Sequence, residues 1–114
     1  MAYNEDLARR VRRILAPNLR VQEKNMMGGL TFMVNGKMCV GILNDDLMAR
    51  IDPDVYENAL TKKACREMDF TGKPIKGFVF VGPGGTRTTR DLQSWVTLAL
   101  AFNKKAKKSK RTKR

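Results

Sequence analysis

The chain has 114 residues, of which 42% are hydrophobic and 7% aromatic, and it carries a formal net charge of +12. This composition fits one soluble globular domain with an ordinary apolar core. No apolar run reaches the ~18 residues that a membrane span requires. The N-terminal residues also lack the apolar segment of a signal peptide, so the sequence predicts a cytoplasmic protein with no membrane partner.

The positive charge is concentrated at the C-terminal end of the chain. The first 103 residues hold 15 basic and 11 acidic residues, a net charge of +4. The last eleven contain no acidic residue and eight basic ones: Lys104, Lys105, Lys107, Lys108, Lys110, Arg111, Lys113 and Arg114. Because like charges repel and this segment has no apolar surface to bury, we predict a folded domain over 1–103 and a disordered basic tail over 104–114.

The N-terminal third predicts one helix followed by a strand. Apolar residues recur at helical spacing from about residue 4 to 16, with Asn4 as the N-cap and Pro17 at the end. A strand is then predicted from about 24 to 34, interrupted at Gly28-Gly29. Glycines within a strand pattern suggest a bulge or a close approach of two backbones.

The middle of the chain predicts antiparallel strands joined by tight turns. Asn35-Gly36 separates two alternating runs, and this dipeptide is a strong signal for a type I′ hairpin turn. The strand from Lys37 to Leu43 is predicted to place Met38, Val40 and Ile42 on one face. A third strand follows from Asp46 to Ile51. We expect Leu30, Phe32, Val40 and Phe80 to be buried.

The remaining elements complete an α+β pattern. A short helix is predicted from Pro53 to about residue 60 or 64, and short strands at 67–70 and 77–81, the latter central in the sheet because it is apolar on both faces. A capping box at Thr88–Asp91 starts the last helix. The predicted order is α-β(3)-α-β(2)-α, an antiparallel sheet with helices packed on it.

Several motifs together resemble the N-terminal domain of the TfoX/Sxy family, which includes bacterial regulators of natural competence. They are Met26-Met27-Gly28-Gly29-Leu30, Asn35-Gly36-Lys37-Met38-Cys39, Asp45-Asp46-Leu47-Met48-Ala49-Arg50 and the stretch from Met68 to Phe78. The resemblance covers residues 3–103 and implies an α-β(3)-α-β(2)-α fold similar to secretion-chaperone-like domains. Competence regulators of this family carry a second, helical domain, whereas this chain continues only as the basic tail. Activities that depend on that second domain are therefore not implied.

The residue inventory argues against catalysis and metal binding. The chain has no histidine, the commonest general base and zinc ligand. Cys39 and Cys65 are far apart in sequence and form no CxxC motif, so we expect reduced, structural thiols. We accordingly predict no catalytic residue, no cofactor and no metal site.

Three functions stay open at this stage. The leading one is a non-enzymatic regulatory module that contacts a protein and associates non-specifically with nucleic acid through Lys104–Arg114, since clustered cations release counterions from phosphates. A second is a chaperone-like homodimer that binds a partner peptide on an exposed sheet face, with Met33 and Met48 as adaptable contacts. A helix covering that face would remove this surface. A third is a small enzyme or anion-binding protein that uses the Gly82–Thr86 loop.

Overall fold

The computed structural model of the chain describes residues 3–17, 20–26, 28–68 and 77–105. Within them lie three α-helices and six β-strands. The helices are α1 (Glu5–Leu15), α2 (Tyr56–Ala59) and α3 (Thr89–Asn103). The strands are β1 (Val21–Met26), β2 (Gly29–Val34), β3 (Lys37–Leu43), β4 (Asp46–Arg50), β5 (Cys65–Glu67) and β6 (Phe78–Val81).

The six strands form one open sheet in the order β1-β2-β3-β4-β6-β5, and every neighbouring pair is antiparallel. This arrangement confirms the predicted α+β class. It also confirms that β6 lies inside the sheet, between β4 and β5. The predicted strand at 67–70 begins earlier, at Cys65, and residues 69–76 lie outside the described part of the chain.

The strand count differs from the prediction because residues 21–34 form a hairpin. The single strand expected from 24 to 34 is instead β1 and β2, paired from Val21 with Val34 to Met26 with Gly29. Gly28 has a φ of +78°, which suits a tight reversal of the chain. Gly28 therefore belongs to a turn rather than a bulge, whereas Gly29 lies at a close approach of two backbones, the other predicted alternative: a Cβ atom there would be 2.2 Å from the Ile42 carbonyl oxygen. The meander has four strands instead of three.

The second hairpin follows its sequence signal. Asn35 and Gly36 have φ angles of 55° and 78°, both positive, as a type I′ turn requires. β3 spans Lys37–Leu43 as predicted. The bulge lies here: Phe32 pairs with Val40 but Met33 pairs with Met38, which leaves Cys39 as the extra residue.

This bulge changes which face Met38 occupies. Because one residue is inserted, Cys39 and Val40 both belong to the main core, whereas Met38 packs with a cluster on the other face. The predicted grouping of Met38 with Val40 and Ile42 was therefore wrong.

Side-chain caps start both long helices. The Asn4 Oδ1 atom accepts a hydrogen bond from the Leu7 amide at 3.0 Å, and the Thr88 Oγ1 atom accepts one from the Asp91 amide at 3.0 Å. The short helix predicted from Pro53 to about residue 60 or 64 is a 3₁₀ turn (Pro53–Val55) followed by α2, which ends at Ala59.

The main core lies between one sheet face and the helices. It contains the buried apolar residues of α1, α2 and α3 together with Leu30, Phe32 and Val40, so their predicted burial is confirmed. A smaller cluster of Met48, Met68 and Phe80 lies on the opposite face, and Phe80 is also buried as predicted. Among the described residues, the hydrophobic members of this second cluster all come from outside the helices.

Candidate nucleic-acid interface and partner surface

The basic tail begins where α3 is fastened to the sheet. The Asn103 side-chain amide donates to the Val34 carbonyl at 3.1 Å, and the Lys37 Nζ atom donates to the Asn103 carbonyl at 2.8 Å. These contacts fix the C-terminal end of α3 against the β2–β3 hairpin. The tail therefore leaves the domain from a defined position.

The first two tail residues are exposed, but one of them is paired. The Lys105 Nζ atom lies 2.6 Å from the Asp52 Oδ2 atom. Their hydrogen bond lowers the pKa of Asp52 and raises the pKa of Lys105. Lys107, Lys108, Lys110, Arg111, Lys113 and Arg114 lie outside the described residues.

Two further cations lie beside the start of the tail, and neither was predicted as a site residue. One is Lys37, whose Nζ atom donates to the Asn103 carbonyl. The Arg50 guanidinium lies 5.7 Å from the centre of the Phe78 ring and 5.5 Å from that of Phe102. No local sequence signal could place these residues there, because the packing of α3 on the sheet brings them together.

The two methionines predicted as a partner surface are not equivalent. Met33 is half-buried, whereas Met48 is only 4% exposed and packs with Met68 and Phe80. Met48 is therefore not available at the surface for a partner. The burial of Met48 speaks against its predicted role, and a contact at Met33 stays a prediction.

Three backbone amides of the Gly82–Thr86 loop donate to backbone carbonyls of the protein. The Gly82 amide donates to the Ala64 carbonyl, the Gly85 amide to the Gly82 carbonyl, and the Thr86 amide to the Pro83 carbonyl, at 2.9, 2.9 and 3.2 Å. A phosphate-binding loop needs such amides directed at the ligand. This geometry does not favour the anion-binding alternative.

The Arg10 side chain beside that loop is also engaged. The Arg10 Nη2 atom donates to the Thr86 carbonyl at 2.7 Å and to the Arg87 carbonyl at 3.2 Å. The adjoining hollow, of about 220 Å³, is lined by Asp6 and Asp45 as well as by arginines. These carboxylates oppose the binding of an anion.

Most arginines of α1 have partners. Arg9 pairs with Asp6 at 2.7 Å, and Arg12 pairs with Glu23 on β1 at 2.6 Å. The Arg12 hydrogen bond lowers the pKa of Glu23, and the same bond raises the pKa of Arg12. Of the α1 basic residues, Arg13 is exposed without an ion pair among the described residues. α1 is thus a weaker candidate for phosphate contact than the tail.

Neither cysteine has the surroundings of a reactive thiol. Both are free; Cys39 is buried and Cys65 is half-buried. Burial raises the pKa of Cys39 to about 12, against an opposing effect of the Arg50 charge, and burial also raises the pKa of Cys65. Within the described residues, no three or more Cys, Asp or Glu side chains are grouped as metal ligands would be.

The Cys39 thiol is expected to resist alkylation by iodoacetamide at pH 8 while the chain is folded. With a pKa of about 12, roughly one thiol in 10,000 would be ionised at that pH. Mass spectrometry of a Cys65→Ser variant should show no labelling until denaturant is added. Complete labelling within minutes under native conditions would contradict this burial.

The open six-stranded antiparallel sheet with helices on one face defines an α+β domain. The chain matches the family described as the TfoX N-terminal domain over residues 13–103. It therefore belongs to the TfoX N-terminal domain family. No curated protein and no solved structure matches the chain. In the described part of the chain, no helix is both long and apolar enough to cross a membrane.

Proposed function

We propose that this protein is a small, non-enzymatic regulatory module of the bacterial cytoplasm. It acts through contact with a protein partner, and its tail, Lys104–Arg114, holds it near nucleic acid. The observation that carries the proposal is the charge distribution: eight basic residues and no acidic one in the last eleven positions. The family assignment supports the TfoX-like module but names no partner.

Association through this tail would be independent of nucleotide sequence. Lysine and arginine neutralise phosphates and release condensed counterions, which is the main source of non-specific affinity. The tail has no aromatic residue on which an unpaired base could stack. Its cations therefore suit the phosphate backbone of a duplex better than the bases.

The absence of catalysis in this proposal rests on side-chain chemistry. The sequence contains no histidine, and burial holds the Cys39 thiol protonated. The Gly82, Gly85 and Thr86 amides of the Gly82–Thr86 loop already donate to backbone carbonyls. The peptide-binding homodimer has less support, because Met48 lies within the second cluster rather than on its surface.

Duplex binding by the full chain is expected to weaken steeply with salt. For eight charges, the slope of log K against log salt has a limit of about −7, and partial engagement should give roughly −3 to −5. A variant with the six basic residues of 107–114 changed to glutamine should lose most of this slope. This variant keeps Lys105, which pairs with Asp52. Fluorescence anisotropy with two unrelated duplexes at several salt concentrations measures both quantities.

A control variant, Arg9→Gln with Arg13→Gln, removes two exposed charges from α1 and should retain the slope within about 1 unit of the unmodified chain. Equal slopes for the unmodified and tail-neutralised chains would transfer nucleic-acid contact to the folded domain. Absence of binding by both at low salt would leave the tail as a solubilising extension.

A further inference from the structure

Arg50 is held in place by two aromatic rings. Its guanidinium lies 5.7 Å from the ring centre of Phe78 on β6 and 5.5 Å from that of Phe102 on α3. Such contacts restrain a guanidinium and shield its faces from water. Ring contacts do not use its N–H groups, which lie in the plane of the guanidinium and can donate to an acceptor there.

Arg50 also differs from the other restrained arginines because it has no hydrogen-bond acceptor among the described residues. Arg66 is the closest comparison: it lies 5.1 Å from the Phe80 ring centre, but it also pairs with Asp46 at 2.6 Å. Arg9 and Arg12 pair with carboxylates, and Arg10 donates to two carbonyls. Within the described part of the chain, Arg50 is thus positioned yet unpaired.

The surroundings of Arg50 favour an anion with phosphate chemistry. Phe102, which contacts Arg50, is two residues from Lys104, and the Lys37 Nζ atom bonds the carbonyl of the next residue, Asn103. Asp52, a carboxylate near this end of α3, is already paired with Lys105. Arg50 is only partly buried, so an anion can reach it.

We propose that Arg50, restrained by contacts with the rings of Phe78 and Phe102, is a fixed binding site for a phosphate group of a nucleic-acid backbone. A guanidinium presents two parallel N–H donors to two phosphate oxygens, and this bidentate geometry suits a restrained arginine. The inference rests on the proposed function, because the tail that attracts the backbone starts beside this site. Arg50 adds one contact of defined position to an otherwise diffuse set of charges.

The test compares Arg50→Met with Arg66→Met in the full chain. Both substitutions keep an apolar stem against a ring, but only the first removes an unpaired guanidinium. Arg50→Met should weaken duplex binding about tenfold near physiological salt and reduce the salt slope by about 0.9. Arg66→Met should leave affinity and slope unchanged. Arg50→Lys, which keeps the charge but not the bidentate donors, should recover the slope but not the full affinity.

A second measurement needs no substitution. In the unmodified full chain, addition of inorganic phosphate should shift the Nε–Hε NMR signal of Arg50 and not that of Arg66. A shift with phosphate but unchanged duplex binding by Arg50→Met would overturn the assignment to nucleic acid in favour of a free phosphate ligand.

Failure of this inference can be separated from failure of the proposed function. If Arg50→Met and Arg66→Met both bind like the unmodified chain while tail neutralisation abolishes binding, the Arg50 site is wrong and the tail interface stands. If no form of the chain binds duplex, both are wrong. A fall in binding that is equal for both arginine variants would show a general charge effect and overturn the Arg50 site.

Discussion

Replacing Phe32 with alanine is expected to lower the free energy of unfolding by about 3–5 kcal/mol. Phe32 is 0% exposed and lies on β2, which is paired on both sides, with β1 and with β3. Its ring packs in the main core beneath the helices, so truncation removes buried apolar contacts and leaves a cavity that neighbouring strands cannot close. Urea denaturation followed by circular dichroism gives the change directly.

A matched control for this substitution is Phe102→Ala, which removes the same atoms from a half-buried position near the end of α3. Its cost should be less than half that of Phe32→Ala, because part of its ring already contacts water. An equal or smaller loss for Phe32→Ala would contradict the position of β2 in the centre of the core.

Gly29→Ala is expected to cost about 3 kcal/mol or more, although it adds a single methyl group. A Cβ atom at this position would lie 2.2 Å from the Ile42 carbonyl oxygen, 3.2 Å from the Ile42 carbonyl carbon and 3.3 Å from the Leu43 Cα atom. All three are backbone atoms of β3, which no side-chain rotation can move. β2 and β3 would have to separate, with loss of their hydrogen bonds.

The control for Gly29→Ala is Gly84→Ala. At Gly84 the nearest atoms to an added Cβ are the side-chain atoms Ala64 Cβ and Lys63 Cε, each at 3.8 Å, an ordinary contact distance. This substitution should be neutral or stabilise the fold by about 0.5 kcal/mol, because alanine restricts the unfolded chain. Thermal denaturation of both variants would separate the two effects, and equal midpoints would contradict the close approach of β2 and β3.

The elements that the sequence predicts correctly are those with local causes. Asn4 and Thr88 cap helices with their own side chains, and Asn35-Gly36 supplies the positive φ angles of its turn. The alternation of apolar and polar residues on either side of the turn identifies the strands. In each case the determining interaction lies within a few residues, so inspection of the sequence detects it.

The incorrect predictions share a different physical origin. Gly28 and Gly29 suggest a bulge or a close approach of two backbones; the close approach occurs at Gly29, but only the pairing of β1 with β2 shows that Gly28 lies in a turn. The bulge at Cys39 depends on the pairing of Phe32 and Met33 with β3. Strand register is set by the packing of the whole sheet, which a pattern of single residues does not reveal.

The residues of the candidate site likewise include some that the sequence reveals and some that only the fold reveals. The basic residues of the tail are evident from composition alone. Arg50 cannot be identified as a site residue from the sequence. It is identified because its guanidinium contacts two rings, one from β6 and one from α3, and has no carboxylate partner among the described residues. Arg66, with a similar ring contact, is neutralised by Asp46 through an equally non-local pairing.

The most direct test of the proposed nucleic-acid association is an NMR titration of the ¹⁵N-labelled full chain with a short mixed-sequence duplex. Backbone amide signals of 104–114 should shift first and most, together with those near Arg50 and Lys37, and the same shifts should appear with an unrelated duplex. The signals of α1 around Arg9 and Arg13 should stay in place. Shifts confined to α1, or no shifts at all in low-salt buffer, would contradict association through the tail.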